Sequence, residues 1–197
     1  MGHDEELSTY RSRRDLETSG EPAGGISHDR PRFVVQRHLA STEHYDFRLE
    51  VDGVLKSWAV PKGPSTDPRQ KRLATPTEDH PIDYAEFEGE IREGYGAGTV
   101  VVWDSGTFEN RTEKRGEPVE MPDGLDTGHV KVWLEGEKLR GAYALTRFRG
   151  DQWLLVKVDD EGADRRRNPV RTQPESVLTG RTNADIEDEQ GTDGGAR

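Results

Sequence analysis

Residues 44–60 read HYDFRLEVDGVLKSWAV. Successive side chains of a strand point to opposite faces, so in 44–51 His44, Asp46, Arg48 and Glu50 share one face while Tyr45, Phe47, Leu49 and Val51 share the other. One face is apolar and suited to a core, and the other carries chemistry. Asp52-Gly53 is a two-residue hairpin signal. With that turn, the return strand sets Val54, Lys56, Trp58 and Val60 on the apolar face, and Leu55, Ser57 and Ala59 opposite the polar row.

The same texture extends outward. RFVVQRH, TVVVWD, HVKVWLEG, KLRGAYALTRF and QWLLVKV are short β-rich runs separated by turn signals such as Pro61-Lys62-Gly63-Pro64, Ser105-Gly106 and Glu135-Gly136. They predict an all-β domain, an antiparallel β-barrel over 31–160. Residues 1–30 are polar and punctuated by Gly and Pro, which predicts an N-terminal arm. Residues 161–182 read as a C-terminal extension. The acidic, Gly-containing 183–197 reads as a disordered tail. The stretch 109–128 is acidic and carries no recognisable motif.

Composition narrows the function. Hydrophobic residues are 30% and charged residues 34% of 197, enough for one core plus segments outside it. There is no cysteine, so a disulfide framework and a thiolate metal site are excluded, and any metal must rest on His, Asp and Glu. No stretch approaches a membrane span and the N-terminus lacks a signal-peptide pattern, so a cytoplasmic protein is expected. The net charge is −11. It is uneven, however: residues 30–84 hold nine Lys/Arg against eight Asp/Glu and 129–158 hold six against three, whereas 85–128 hold four against eleven. An acidic total therefore leaves a nucleic-acid substrate open.

Two positions apart on one strand face, His44 and Asp46 are about 7 Å from each other along the chain and can converge on one cation. His38 can add a third donor if the short connection after it turns the chain back. Two nitrogens and one carboxylate suit Mn²⁺, Zn²⁺ or Fe²⁺ better than Mg²⁺ or Ca²⁺. Taken alone, an H-x-D pair is better explained by solvation; here the row continues into Arg48. Arg48 fits a bidentate phosphate contact, or a salt bridge to Glu50 or a neighbouring strand. Glu78-Asp79-His80-Pro81-Ile82-Asp83-Tyr84 reads as a Pro-bearing loop in which His80 and Tyr84 could bond a phosphoryl oxygen or move a proton, or simply face solvent. Lys62 and Arg72 bracket a basic loop able to neutralise a nucleic-acid backbone, or to be solvated. The glycine-rich 94–99 precedes a strand and opens no helix, so it reads as a tight turn rather than a dinucleotide fingerprint. Trp58, Trp103, Trp133 and Trp153 all fall in β-rich runs and read as core.

Taken in order, FVVQRH, HYDFRLEVDGVLKSWAVPKGPS, KRLA, EDHPIDYAEFEG, YGAGTVVVWD and WLLVKV resemble the 3′-phosphoesterase module of DNA ligase D over about Tyr10 to Gly180. The resemblance implies a β-barrel and an Mn²⁺-dependent activity, with Zn²⁺ or another divalent transition metal as the alternative cofactor. That activity removes a terminal 3′ ribonucleotide and then the remaining 3′-phosphate from a DNA primer-template, leaving a 3′-OH for non-homologous end joining. By position it puts the metal ligands on His38, His44 and Asp46, and the catalytic set on Arg48, His80 and Tyr84. An arm ahead of the barrel contributes Arg14, Asp15 and Glu21, and substrate contacts fall on Lys62 and Arg72. No ligase or polymerase domain accompanies these motifs, so such partners are expected on separate chains. The competing function class is a non-catalytic module that binds nucleic-acid ends and recruits repair partners.

Overall fold

The computed structural model describes residues 7–14, 19, 21 and 30–193. Eleven strands occur among them: β1 (Arg32–Leu39), β2 (Glu43–Val51), β3 (Val54–Val60), β4 (Lys71–Pro81), β5 (Gly89–Ile91), β6 (Gly98–Asn110), β7 (Glu113–Lys114), β8 (Glu117–Pro118), β9 (His129–Gly136), β10 (Arg140–Arg149) and β11 (Gln152–Lys157). Helices α1 (Ser8–Ser12), α2 (Met121–Thr127), α3 (Pro169–Thr172) and α4 (Asn183–Asp193) are short, and a 3-10 turn spans Ile82–Glu86. The strands run in the order β1-β2-β3-β4-β11-β10-β9-β6, and β6 pairs back onto β1. The sheet thus closes into an eight-stranded antiparallel barrel, with β5 added to the edge of β6.

Asp52 and Gly53 both have positive φ, 50° and 79°, as a two-residue primed turn requires. The hairpin has the register expected from the alternation: Phe47 faces Trp58, Asp46 faces Ala59 and Arg48 faces Ser57. The odd positions Tyr45, Phe47, Leu49 and Val51 join Phe33, Val35, Trp58, Trp103 and Trp153 in the barrel core. The even positions face the outer wall, where Val34, Leu55 and Val102 pack with Tyr10 of α1 and Tyr84 and Ala85 of the 3-10 turn. The arm and the turn therefore roof one patch of wall, and the polar row lies beneath them.

Three expectations are corrected. Residues 78–81 are the end of β4, not a loop, and Ile82–Glu86 continue as a 3-10 turn; Pro81 is tolerated because it stands at the last position of the strand. Trp133 is only partly buried on the outer face, under the Arg111 guanidinium, with its indole N–H donated to Glu135 at 2.7 Å. Of the segment 183–197 expected as a disordered tail, residues 183–193 fold as α4, and 194–197 lie outside the described residues. Thr182 and Asp185 cap it reciprocally, Asn183 Nδ2 donates to the Thr99 carbonyl at 2.9 Å, and Ile186 is 1% exposed. Those anchors outweigh the acidic composition of the rest of the helix. The stretch 109–128 ends β6, makes the β7–β8 hairpin and forms α2, whose Met121 and Leu125 pack on the core. No helix among the described residues is long and apolar enough to cross a membrane.

Candidate metal centre

In the β1–β2 pair His38 stands opposite His44, and Gln36 opposite Asp46. This register sets two imidazoles and a carboxylate on one patch of outer wall, their donor atoms all within 4.8 Å of one another. His44 Nε2 is 3.4 Å and His38 Nδ1 3.7 Å from Asp46 Oδ2. Backbone carbonyls orient both rings. His38 Nε2 lies 2.6 Å from Gly96 O and His44 Nδ1 3.3 Å from Thr42 O. A carbonyl only accepts, so in the neutral rings these nitrogens carry the protons, and the lone pairs of Nδ1 in His38 and Nε2 in His44 turn toward Asp46. Two oriented lone pairs and a carboxylate converging on one point fit a divalent transition ion, with the carbonyls fixing the tautomers. Burial disfavours charge on Asp46, but Arg48 and the two imidazoles outweigh it and hold the carboxyl well below the usual carboxylate range. Burial likewise opposes protonation of His44, yet a proton added at Nε2 would be bonded by Asp46, and this raises that pKa.

Arg48 follows on the same face, with Nη2 3.3 Å from Asp46. Its Nε donates to Gln36 Oε1 at 2.8 Å, and Gln36 is itself fully buried, donating to the carbonyls of Tyr84 (2.7 Å) and Phe87 (3.1 Å). Gln36 thus ties the guanidinium to the 3-10 turn. Nη1 of Arg48 is 3.1 Å from His80 Nδ1, and Arg14 Nη2 is 3.5 Å from His80 Nε2. Burial first, then these two guanidiniums, push the His80 pKa well below its ordinary value, so the ring is neutral at physiological pH. Glu50, last in the polar row, instead accepts the Arg32 N–H at 2.9 Å.

The arm closes the other side. Arg14 lies over the Tyr10 ring at 4.4 Å, and donates to Glu21 and to Glu78, each at 2.8 Å. Glu21 Oε1 also accepts the Tyr84 hydroxyl at 2.9 Å. Burial, reinforced by the Glu21 charge, raises the Tyr84 pKa well above its ordinary value and keeps the phenol protonated. Between the arm, the 94–96 turn and the barrel wall lies a cleft of about 450 Å³, lined by His38, His44, Asp46, Arg48, His80, Tyr84, Arg14 and Glu78 among others.

Eight of the residues expected from sequence are therefore brought together: His38, His44, Asp46, Arg48, His80, Tyr84, Arg14 and, bonded to the last two, Glu21. Asp15 lies outside the described residues. Lys62 and Arg72 do not line the cleft; Lys62 is exposed, and Arg72 donates to Gln70 at 2.8 Å. Sequence reasoning missed Gln36, Glu78, Tyr10 and the Gly96 carbonyl. Only the alternation carried a signal for two of them, since Gln36 is polar on the face of His38 in β1 and Glu78 on that of His80 in β4.

The family model described as the DNA ligase D 3′-phosphoesterase domain matches residues 36–147, which include the whole His-His-Asp set. The chain is 48% identical over 187 residues to the multifunctional non-homologous end joining protein LigD of Pseudomonas aeruginosa, across 89% of this chain and 21% of that protein. It is 46% identical over 159 residues to the multifunctional non-homologous end joining DNA repair protein LigD of Mycobacterium tuberculosis, across 79% and 20% respectively. To the LigD protein of Mycolicibacterium smegmatis it is 45% identical over 162 residues, across 80% and 21%. The chain spans about a fifth of the length of these curated relatives.

Proposed function

Because the chain belongs to the DNA ligase D 3′-phosphoesterase domain family, we propose that it is a metal-dependent phosphoesterase that heals the 3′ ends of DNA strands for non-homologous end joining. It removes a terminal 3′ ribonucleotide and then the remaining 3′-phosphate, leaving a 3′-OH for a ligase or polymerase. The observation that supports this best is the convergence of oriented His38, His44 and Asp46 with Arg48 and His80 in one cleft.

His38, His44 and Asp46 would hold Mn²⁺, or Zn²⁺ in its place, and such an ion supplies Lewis-acid polarisation of a phosphoryl oxygen when bound. Arg48, braced by Gln36, presents its planar fork to the phosphate oxygens. His80 is neutral between two guanidiniums, so it can take a proton at a ring nitrogen without first losing one to the bulk. Tyr84 stays protonated and acts as a donor, not a nucleophile. Arg14 and Glu21 close the cleft from the arm and exclude water from the phosphate.

A 5′-labelled primer-template ending in a 3′-phosphate tests the reading. With Mn²⁺ the primer should gain the mobility of a 3′-OH strand, EDTA should stop the conversion, and Asp46→Ala should abolish it. Tight binding of the end without conversion, under any divalent transition metal, would make the chain an end-binding module instead. Full conversion in chelator by metal-free protein would remove the metal from the reaction.

A further inference from the structure

In a chain of net charge −11, two short segments run the other way. Residues 62–72 hold Lys62, Arg69, Lys71 and Arg72 against one carboxylate, and residues 164–171 hold Arg165, Arg166, Arg167 and Arg171 against one. They lie about a hundred residues apart in sequence and fold onto each other. The hydroxyl of Thr66, a residue 2% exposed, donates to the carbonyls of Asp164 (2.8 Å) and Arg167 (2.9 Å), and the Asp164 N–H returns a bond to Thr66 O at 2.9 Å. Between them is a polar pocket of about 230 Å³, with Ser65, Thr66 and Gln70 on one wall and Arg165, Arg166 and Asn168 on the other.

Both carboxylates are committed within their own segments. Asp67 is held by Arg69 at 2.8 Å, and Asp164 Oδ1 accepts the backbone N–H groups of Arg166 (2.8 Å) and Arg167 (3.2 Å). Arg167 is used structurally, donating to the Lys138 carbonyl at 2.6 Å. Among the described residues Arg165 pairs with Asp159, at 3.7 Å in an exposed pair of the kind worth little. Arg166, Lys62 and Lys71 are exposed and make no side-chain bond to another described residue. Their charge faces solvent unopposed.

The surface also stands at the right end of the barrel. His44 is at the start of β2, where Val60 at the end of β3 pairs with Tyr45, and Lys71 at the start of β4 pairs with Val156 near the end of β11. The basic loops therefore leave the barrel on the side where the metal donors sit. Gly63, at φ +71°, makes the link tight: a Cβ there would lie 2.8 Å from Val170 Cγ2 and 3.0 Å from Tyr45 Cδ2. Only glycine fits this left-handed turn, which packs Gly63 between Tyr45 of the metal-bearing strand and Val170 of the 164–171 segment.

We propose that this surface holds the phosphodiester backbone of the DNA duplex leading to the 3′ end, and that the pocket between Thr66 and Arg165-Arg166 seats one backbone phosphate. The proposal rests on the 3′-end reading above for its substrate. A cluster of cations in which Lys62, Lys71 and Arg166 are exposed and form no ion pair among the described residues concentrates a polyanion where its end can reach the cleft, and guanidinium is the group that matches phosphate oxygens in pairs.

The test is anisotropy of a labelled primer-template with a 3′-phosphate, titrated at several salt concentrations in EDTA so that no turnover intervenes. Arg165→Ala/Arg166→Ala should raise Kd about fivefold or more and flatten the slope of log K against log salt by about 0.9 for each phosphate no longer neutralised. Lys114→Ala, on the exposed β7–β8 hairpin beyond the other end of β6, removes a charge without touching this surface and should leave Kd within twofold. Melting temperatures of both variants check that they fold. A double variant with wild-type Kd and slope overturns the proposal, as does an equal loss in Lys114→Ala. The two readings fail separately. Arginine-dependent binding by a wild-type chain that never hydrolyses the 3′-phosphate keeps the surface and removes the phosphoesterase; hydrolysis with arginine-independent binding does the reverse.

Discussion

Replacing Gln36 by methionine isolates the residue on which the cleft hangs. The side chain is 0% exposed and makes three hydrogen bonds: to the Tyr84 carbonyl, to the Phe87 carbonyl and from Arg48 Nε. Methionine keeps the volume and removes every polar partner. Two buried carbonyls left unpaired cost about 1 kcal/mol each at the low end, and a charged N–H without its acceptor about 1.5 to 3 kcal/mol. Partial relaxation leaves a net loss of about 3 kcal/mol, which for a chain of this size lowers Tm by about 6 to 12 °C. Activity should fall further than stability explains, about tenfold or more under conditions where the variant is folded, because the guanidinium loses its brace. Gln36→Glu keeps an acceptor for Arg48 but turns a carboxylate onto two carbonyls, so it should lose comparable stability and retain more activity than the methionine variant. Differential scanning calorimetry with the primer-conversion assay reads both. A Gln36→Met protein that melts within about 2 °C of wild type, or that converts the end at the wild-type rate, would refute the bracing argument.

Two further predictions concern charge and the C-terminal helix. The His80 pKa is depressed in the folded protein, so below about pH 6.5 the unfolded chain binds a proton that the folded chain refuses; stability is full above that pH and falls by up to about 1.4 kcal/mol per unit as pH drops toward the folded value. Denaturant midpoints between pH 7.5 and 5.5 should therefore fall more steeply for wild type than for His80→Asn, and parallel slopes would show the ring to be protonated in the fold. Ile186→Ala should cost about 2 kcal/mol, since the residue is 1% exposed in α4 against the barrel; an unchanged Tm would return residues 183–193 to the tail expected from sequence.

Much of the barrel was legible in the residues because a strand writes itself with period two. The alternation in 44–51 separates core from chemistry, and Asp52-Gly53 permits a primed turn that sets the register of 54–60. The helical C-terminus was less legible, although Thr182 and Asp185 spell a capping pair ahead of Ile186. The acidity of 183–197 outweighed that signal in a sequence reading, whereas in the fold one buried isoleucine and one buried asparagine suffice to dock a helix.

Local chain geometry dictates which residue types share a strand face: His44, Asp46 and Arg48 point one way and Tyr45, Phe47 and Leu49 the other, because successive side chains of a strand alternate. It could not determine what stands across from them. That His38 pairs with His44, that Gln36 braces Arg48, that Arg14 reaches Glu78 across 64 residues, and that residues 62–72 meet 164–171 are facts of barrel closure and of an arm folded back over the wall. Such contacts depend on long-range packing, in which burial of Tyr10, Leu55, Tyr84 and Val102 against one another places the polar groups beside them. Local propensity carries no record of them, since each loop and strand would keep its own preferences whichever partner closed the barrel.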